Sequence, residues 1–184
     1  PSYTFISSAT AIPLAGAEAV FVDVETDYWC LDVDAVEAAI TEKTKAVIGV
    51  HIYGQPYDPR LLDMCREKGI FLIEDAAQAH GASQVMLDGS ELVAGSMGDL
   101  GCFSFFPSKN MAVGGEGGML TTTVDELTDA VSLVVNHGRS PSLESMQLGS
   151  NLRMSEVSAA IGTVQLKHLD NWVARRREIA KQYN

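Results

Sequence analysis

GIFLIEDAAQAHGA, residues 69–82, decides the fold. An apolar run, Ile70–Glu74, ends on a carboxylate, Asp75, and passes into small residues. Apolar side chains at successive positions suit a strand covered on both faces, as in parallel sheets. Working outward, Ala19–Val24, Ala46–Tyr53, Leu100–Phe106 and Gly118–Thr123 are runs of the same kind, and each is expected to be a strand. Helix signals lie between them. Asp32 is an N-cap before Val33, Val36 and Ile40, and Asp58 is an N-cap with Pro59 at the first helical position, ahead of an inward stripe of Leu61, Leu62 and Cys65. Thr123 with Glu126 forms a capping box for Leu127, Val131 and Val134, and a last helix is expected over 155–184 through Val157, Ile161, Val164, Leu169 and Val173. Strands alternating with helices define an α/β fold with a mostly parallel central sheet.

Charge and composition exclude several functions. Thirteen Lys and Arg against 24 Asp and Glu give a formal net charge of −11, so the basic footprint that nucleic acid requires is missing. The short basic run Arg175–Arg177 reads as a solvated helix face near a C-terminus. At 46% hydrophobic and 20% charged, the 184 residues have the composition of an ordinary globular chain, with one compact domain as the default. No apolar run reaches the ~18 residues that span a bilayer, so no membrane role is expected. Cys30, Cys65 and Cys102 are odd in number and scattered, which argues against disulfides and zinc and for a reducing, cytoplasmic setting. No His-Glu-x-x-His spacing links the four histidines, and no metal is expected. The chain opens on Pro1 without an initiator Met and closes at Asn184 inside a helical pattern, which suggests a piece of something longer.

Ligands of parallel α/β sheets sit at the carboxyl ends of strands, so polar residues there are the first candidates. Asp75 is one. Lys109 is another, following the strand and turn CFSFFPS (102–108), as the only lysine between Lys68 and Lys167. The glycine-rich VGGEGG (113–118) beside it reads as a turn whose backbone passes close to something. A strand-end carboxylate and an isolated lysine are what pyridoxal phosphate chemistry needs: the amine holds the cofactor aldehyde and the carboxylate keeps the pyridine nitrogen protonated. Ser104, in the same segment, can offer a hydroxyl to the cofactor phosphate.

These residues lie within stretches that together resemble the DegT/StrS-type sugar aminotransferases. They are YTFISSATAI (3–12), GAEAVFVDV (16–24), VHIYGQPYD (50–58), IEDAAQAHGA (73–82), GDLGCFSFFPSKNMAVGGEGGMLTT (98–122), NHGR (136–139) and GSNLRMSEVSAAIGTVQLKHLD (149–170). The resemblance implies the aspartate aminotransferase fold, a three-layer α/β/α arrangement with a mostly parallel sheet, of which residues 1–184 would be the central part of the large pyridoxal-phosphate-binding domain. It also implies that an N-terminal segment and a C-terminal small domain belong to the complete enzyme.

The resemblance further assigns roles. Lys109 would hold pyridoxal 5'-phosphate as a Schiff base and shuttle the proton, Asp75 would pair with the ring nitrogen, Gln78 would touch the ring-hydroxyl side, and Ser104 would bind the phosphate. Phe5 would stack on the ring, and Asn151 would reach the phosphate of the neighbouring subunit's cofactor, implying a homodimer with shared sites. His80 and His137 would border the site, with His168 on a helix surface. The implied reaction moves an amino group from an amino acid, usually glutamate, to a nucleotide-linked keto sugar, in amino-sugar or polysaccharide biosynthesis. Alternatives are a non-catalytic or regulatory relative of the same fold and a pyridoxal-phosphate-dependent sugar dehydratase. Dehydratase relatives carry histidine where this chain has Lys109, which favours transamination.

Overall fold

The computed structural model describes residues 1–183; the expected helical residue Asn184 lies outside the described residues. In chain order the elements are α1 (Ile6–Leu14), α2 (Val33–Ala39), β1 (Ala46–Val50), α3 (Arg60–Lys68), β2 (Phe71–Asp75), β3 (Ser83–Val85), β4 (Glu91–Val93), β5 (Leu100–Ser104), β6 (Gly118–Thr121), α4 (Asp125–Val135), α5 (Glu156–Leu166) and α6 (Leu169–Tyr183), with a 3-10 turn at Ile52–Gly54 after β1. The main sheet runs β1-β2-β5-β6, and β3 and β4 form a separate antiparallel pair. β1, β2 and β5 are parallel, with Val50 opposite Asp75 and Asp75 opposite Cys102. β6 returns antiparallel to β5, pairing Gly118 with Ser104. The class is α/β with a mostly parallel sheet.

One face of the sheet is sealed. Val47 and Gly49 on β1 and Leu72 and Glu74 on β2 share it by register, and Gly49 lies so close to Tyr57 and Leu61 that a Cβ there would sit 2.7 Å from the Tyr57 ring. α3 supplies Leu61, Leu62 and Cys65 to the core as the stripe implied, and α2 adds Val33 and Val36. α2 starts as expected, Asp32 Oδ1 accepting the Asp34 and Ala35 N–H groups; α3 starts one residue later than expected, with Pro59 as N-cap and Arg60 first in the helix, because Asp58 Oδ1 accepts the Arg60 N–H from just outside it. Gly69 closes α3 at φ 64°, where a side chain would be strained. Among the described residues no helix is long and apolar enough to cross a membrane.

Several expectations are corrected. Residues 19–24 form no strand: only Val24 makes a bridge, to Leu31, and Val20 and Phe21 are exposed, because no neighbouring ladder takes up their backbone. The Thr123–Glu126 box is not made. Val124 caps α4 without a side-chain bond, and Thr122 Oγ1 instead accepts the Val124 N–H while donating to the Asp99 carbonyl. The single terminal helix is two, because Lys167 and His168 donate to carbonyls three residues back, tightening the turn and ending α5. Leu169 is thereby buried, while Val157 and Val164 on α5 stay exposed.

Candidate active site

The carboxyl ends of β2 and β5 carry the polar groups. Asp75 ends β2. Its Oδ1 accepts the Ala77 N–H at 3.1 Å, opening a turn, and its Oδ2 accepts the Ser8 hydroxyl at 2.7 Å. Ser8 lies in the first turn of α1 and meets the Thr4 hydroxyl at 3.0 Å, so the segment holding Phe5 is drawn to this strand end. The Phe5 ring is 68% exposed. Gln78 follows on the turn after Asp75, its Oε1 accepting the Tyr53 N–H at 2.7 Å. Ser104 ends β5 on the neighbouring strand, its hydroxyl accepting the Phe106 N–H at 3.3 Å.

Lys109 lies in the β5–β6 loop, its N–H donating to the Phe106 carbonyl at 2.8 Å. That loop builds a small core of its own from Phe105, Met111 and Val113, packed against Phe103, Met154 and Trp172. The close approach expected of VGGEGG is real: a Cβ on Gly117 would lie 2.8 Å from Met154 Sδ, and one on Gly118 2.8 Å from the Phe103 carbonyl. Lys109 lines a cleft of about 450 Å³ with Gln165, Trp172, Arg175 and Arg176. Asp75, Gln78 and Ser104 do not line that cleft. The structure thus sets Asp75 and Ser104 at the carboxyl ends of neighbouring strands with Gln78 on the turn after β2, ties the Phe5 segment to Asp75 through Ser8, and holds Lys109 on the loop after β5. Asn151 stands apart, exposed and bridged to Asn136.

Under this edge lies a buried polar assembly that sequence reasoning missed. Glu74 is fully buried, with Oε2 accepting from His51 Nε2 (2.8 Å) and the Gly95 N–H, and Oε1 from the Met97 and Gly98 N–H groups. His51 Nδ1 accepts the Tyr57 N–H at 3.4 Å, which places the ring proton on Nε2. The signal was present in the paired acids Glu74-Asp75: on a strand, adjacent side chains face opposite ways, so only one could reach the edge. Ser8 and Tyr53 gave no such signal. His80 is also buried, against Phe103 and Phe105, with neither ring nitrogen hydrogen-bonded among the described residues. Burial pushes its imidazole below the ordinary value; the Ser104 backbone, close to the ring but not in hydrogen-bond geometry, opposes this, and Lys109 and Arg176 act with the burial. Burial, reinforced by Asp75, pushes the Cys102 thiol up to about 11, so it stays protonated beside the site. His137 sits at φ 62° on the exposed segment leading to Asn151, and His168 stacks on Trp172 at the surface.

A mostly parallel sheet with a carboxylate and a hydroxyl at adjacent strand ends, an amide on the next turn and a lysine on the following loop is the arrangement this chain presents. The chain belongs to the DegT/DnrJ/EryC1/StrS aminotransferase family, whose model matches residues 1–184. It is 41% identical over 184 residues to a UDP-N-acetyl-3-dehydro-α-D-glucosamine 3-aminotransferase of Acidithiobacillus ferrooxidans, covering 100% of this chain and 48% of that protein. It is equally 41% identical, over 183 residues, to a "pleiotropic regulatory protein" of Geobacillus stearothermophilus, covering 99% and 48%. The crystal structure of S. venezuelae DesV in complex with a ketimine intermediate superposes with a TM-score of 0.90 at 36% identity, covering 100% of this chain and 48% of that one. The chain therefore spans about half the length of the relatives it matches.

Proposed function

We propose that the whole protein is a pyridoxal-5'-phosphate-dependent aminotransferase that moves an amino group from an amino acid, glutamate in the first instance, to a nucleotide-linked keto sugar in amino-sugar biosynthesis. The observation that supports this reading is that Asp75 and Ser104 end the adjacent parallel strands β2 and β5, with Gln78 on the turn after β2 and Lys109 on the loop that leaves β5. The residues fit the cofactor. Asp75 Oδ1 and Oδ2 each already accept one hydrogen bond, and a carboxylate has about four acceptor sites in all, so capacity remains for a ring N–H. The Ser104 hydroxyl accepts from Phe106, which leaves its proton free for a phosphate oxygen.

When bound, pyridoxal phosphate supplies an aldehyde for amines and a ring that takes up the charge left by proton removal. Lys109 Nζ would hold that aldehyde and, as a free amine, would be the acid–base group that moves the proton at the donor's α-carbon. Asp75 keeps the ring nitrogen protonated, which is the main electrostatic contribution. Phe5 covers one face of the ring, and its exposure leaves room for that contact. Asn151, exposed and removed from its own chain's site, serves the partner subunit's phosphate in a homodimer. The setting is cytoplasmic. Residues 1–184 form the central part of the large domain, and the remainder of the enzyme supplies the small domain.

The relative described as a regulatory protein keeps a second reading in view, that of a non-catalytic protein on the same fold. One experiment separates them. The whole protein with pyridoxal phosphate is expected to show a visible absorption band that borohydride fixes onto Lys109, and to lose the band on adding glutamate as the cofactor is aminated. Lys109→Ala abolishes covalent attachment. Asp75→Asn keeps the cofactor and lowers turnover by at least ~100-fold. A band unaffected by Lys109→Ala would overturn the reading, and a band indifferent to every amino donor would favour the regulatory one.

A further inference from the structure

Helix α1 is held to the sheet by one side-chain contact, and that contact lands on Asp75. None of the residues of α1 is buried, and no side chain caps its start. Ile6 and Leu14, which bound it, are both exposed. Among the described residues, the only side-chain hydrogen bond from α1 to a strand runs from the Ser8 hydroxyl to Asp75 Oδ2, at 2.7 Å. A hydroxyl that donates to a carboxylate makes a charge-assisted bond, roughly twice as strong as a neutral one. Ser8 also holds Phe5 from two sides. Its N–H donates to the Phe5 carbonyl at 3.1 Å, and its Oγ meets the hydroxyl of Thr4, the residue before Phe5, at 3.0 Å.

Counting protons gives these contacts a direction. As an ionised carboxylate, which its proposed role requires, Asp75 only accepts, so the single Ser8 hydroxyl proton goes to Asp75 and the Thr4 hydroxyl donates to Ser8. Donors then run one way, from Thr4 to Ser8 to Asp75, and each link in such a chain polarises and strengthens the next. With the Ala77 N–H on Oδ1 and the Ser8 hydroxyl on Oδ2, the two carboxylate oxygens are pinned by different segments, and the plane of the group is fixed. We infer that Ser8 is a positioning residue: its one hydroxyl sets the plane in which Asp75 meets the cofactor's ring nitrogen, and ties to Asp75 the segment that lays Phe5 on the ring. This rests on the functional reading above and adds to it a residue and a coupling between Asp75 and Phe5. Without the hydroxyl, Oδ2 loses its partner, the carboxylate can turn about its Cβ–Cγ bond, and no other side chain of α1 reaches a strand among the described residues.

The test uses the whole protein, freed of cofactor and titrated with pyridoxamine 5'-phosphate, which carries an amine in place of the aldehyde and so binds without a bond to Lys109. Affinity and the circular dichroism of the bound ring are read, with thermal unfolding recorded to show that each variant is folded. Ser8→Ala is expected to weaken binding about tenfold, the effect of one charge-assisted hydrogen bond, and to reduce the ellipticity of the ring. Ser8→Thr keeps the hydroxyl and restores both. In an Asp75→Ala background, Ser8→Ala is expected to cost little more, because the two residues act as one unit. Unchanged affinity in folded Ser8→Ala overturns the positioning role while leaving the aminotransferase reading intact. Equal losses in Ser8→Ala and Ser8→Thr, or a full loss repeated in the Asp75→Ala background, overturn it as well, since either makes Ser8 a packing residue. If Ser8→Ala does not fold, Thr4→Val decides: it removes the donor to Ser8 and leaves the Asp75 contact, so a smaller loss of affinity supports the chain and no loss overturns it. Failure of the unaltered protein to bind pyridoxamine phosphate overturns the parent reading, and this inference with it.

Discussion

His80 shows what a single side chain costs when its polar atoms go unanswered. Its ring is packed at 5.2 Å from Phe103 and 5.8 Å from Phe105, and both nitrogens lack partners among the described residues. Because burial lowers its folded pKa, the unfolded chain binds a proton as pH falls through about 6.5 while the folded chain does not. The stability tied to a neutral His80 is therefore complete above that pH and declines as the pH drops toward the folded value. His80→Leu is expected to flatten the dependence of Tm on pH between about 7 and 5 and to leave Tm at neutral pH equal or higher. Calorimetry across that range checks both, and an unchanged slope would remove His80 as the acid-sensitive group. Glu74 is the opposite case: it is as deeply buried, but four donors reach its two oxygens, and it anchors the strand that ends on Asp75.

At the scale of elements, the helix that seals the sheet matters most. Leu61 is wholly buried on α3 between β1 and β2, so Leu61→Ala is expected to cost about 2–5 kcal/mol, whereas Asp32→Ala, which removes only the cap of α2, costs about 1 kcal/mol. Urea unfolding of both variants gives the comparison, and equal losses would contradict the packing described. Elements with a buried face were legible in the sequence. β1, β2 and β5 were found as apolar runs, and α2 and α3 by their caps and stripes, while β6 was found from its apolar run although Met119 and Leu120 on it are exposed. Ala19–Val24 was misread because apolar composition reports a wish for burial and not the presence of a pairing partner. α1 was missed because none of its residues is buried and no side chain caps it, so neither periodicity nor a start signal marks it. β3 and β4 are too short for a pattern. The site followed the same logic: Asp75 and Ser104 were legible as strand-end residues, while Ser8 and Tyr53 act through contacts from 67 and 25 residues away in sequence, the latter through its backbone.

For the whole molecule, the uncovered apolar surface is the governing fact. Leu14, Leu148 and Tyr183 are each at least 87% exposed, and Leu152, Val157 and Val164 are exposed along the Asn151–α5 segment. Apolar area on this scale marks interaction surface. The 184-residue chain produced alone is expected to self-associate, and on the proposed function the whole protein is expected to sediment as a discrete dimer; a monodisperse whole-protein monomer would remove the proposed shared-site role of Asn151. A different consequence comes from β6. Because β6 returns beside β5 instead of crossing over, Ser104 and Gly118 are clasped in one ladder, and everything between them, Lys109 included, is a closed excursion with a miniature interior. Because that interior also takes in Phe103 of β5, the loop that bears Lys109 is fastened to the strand it leaves, so whatever shifts β5 also shifts the base on which the lysine stands.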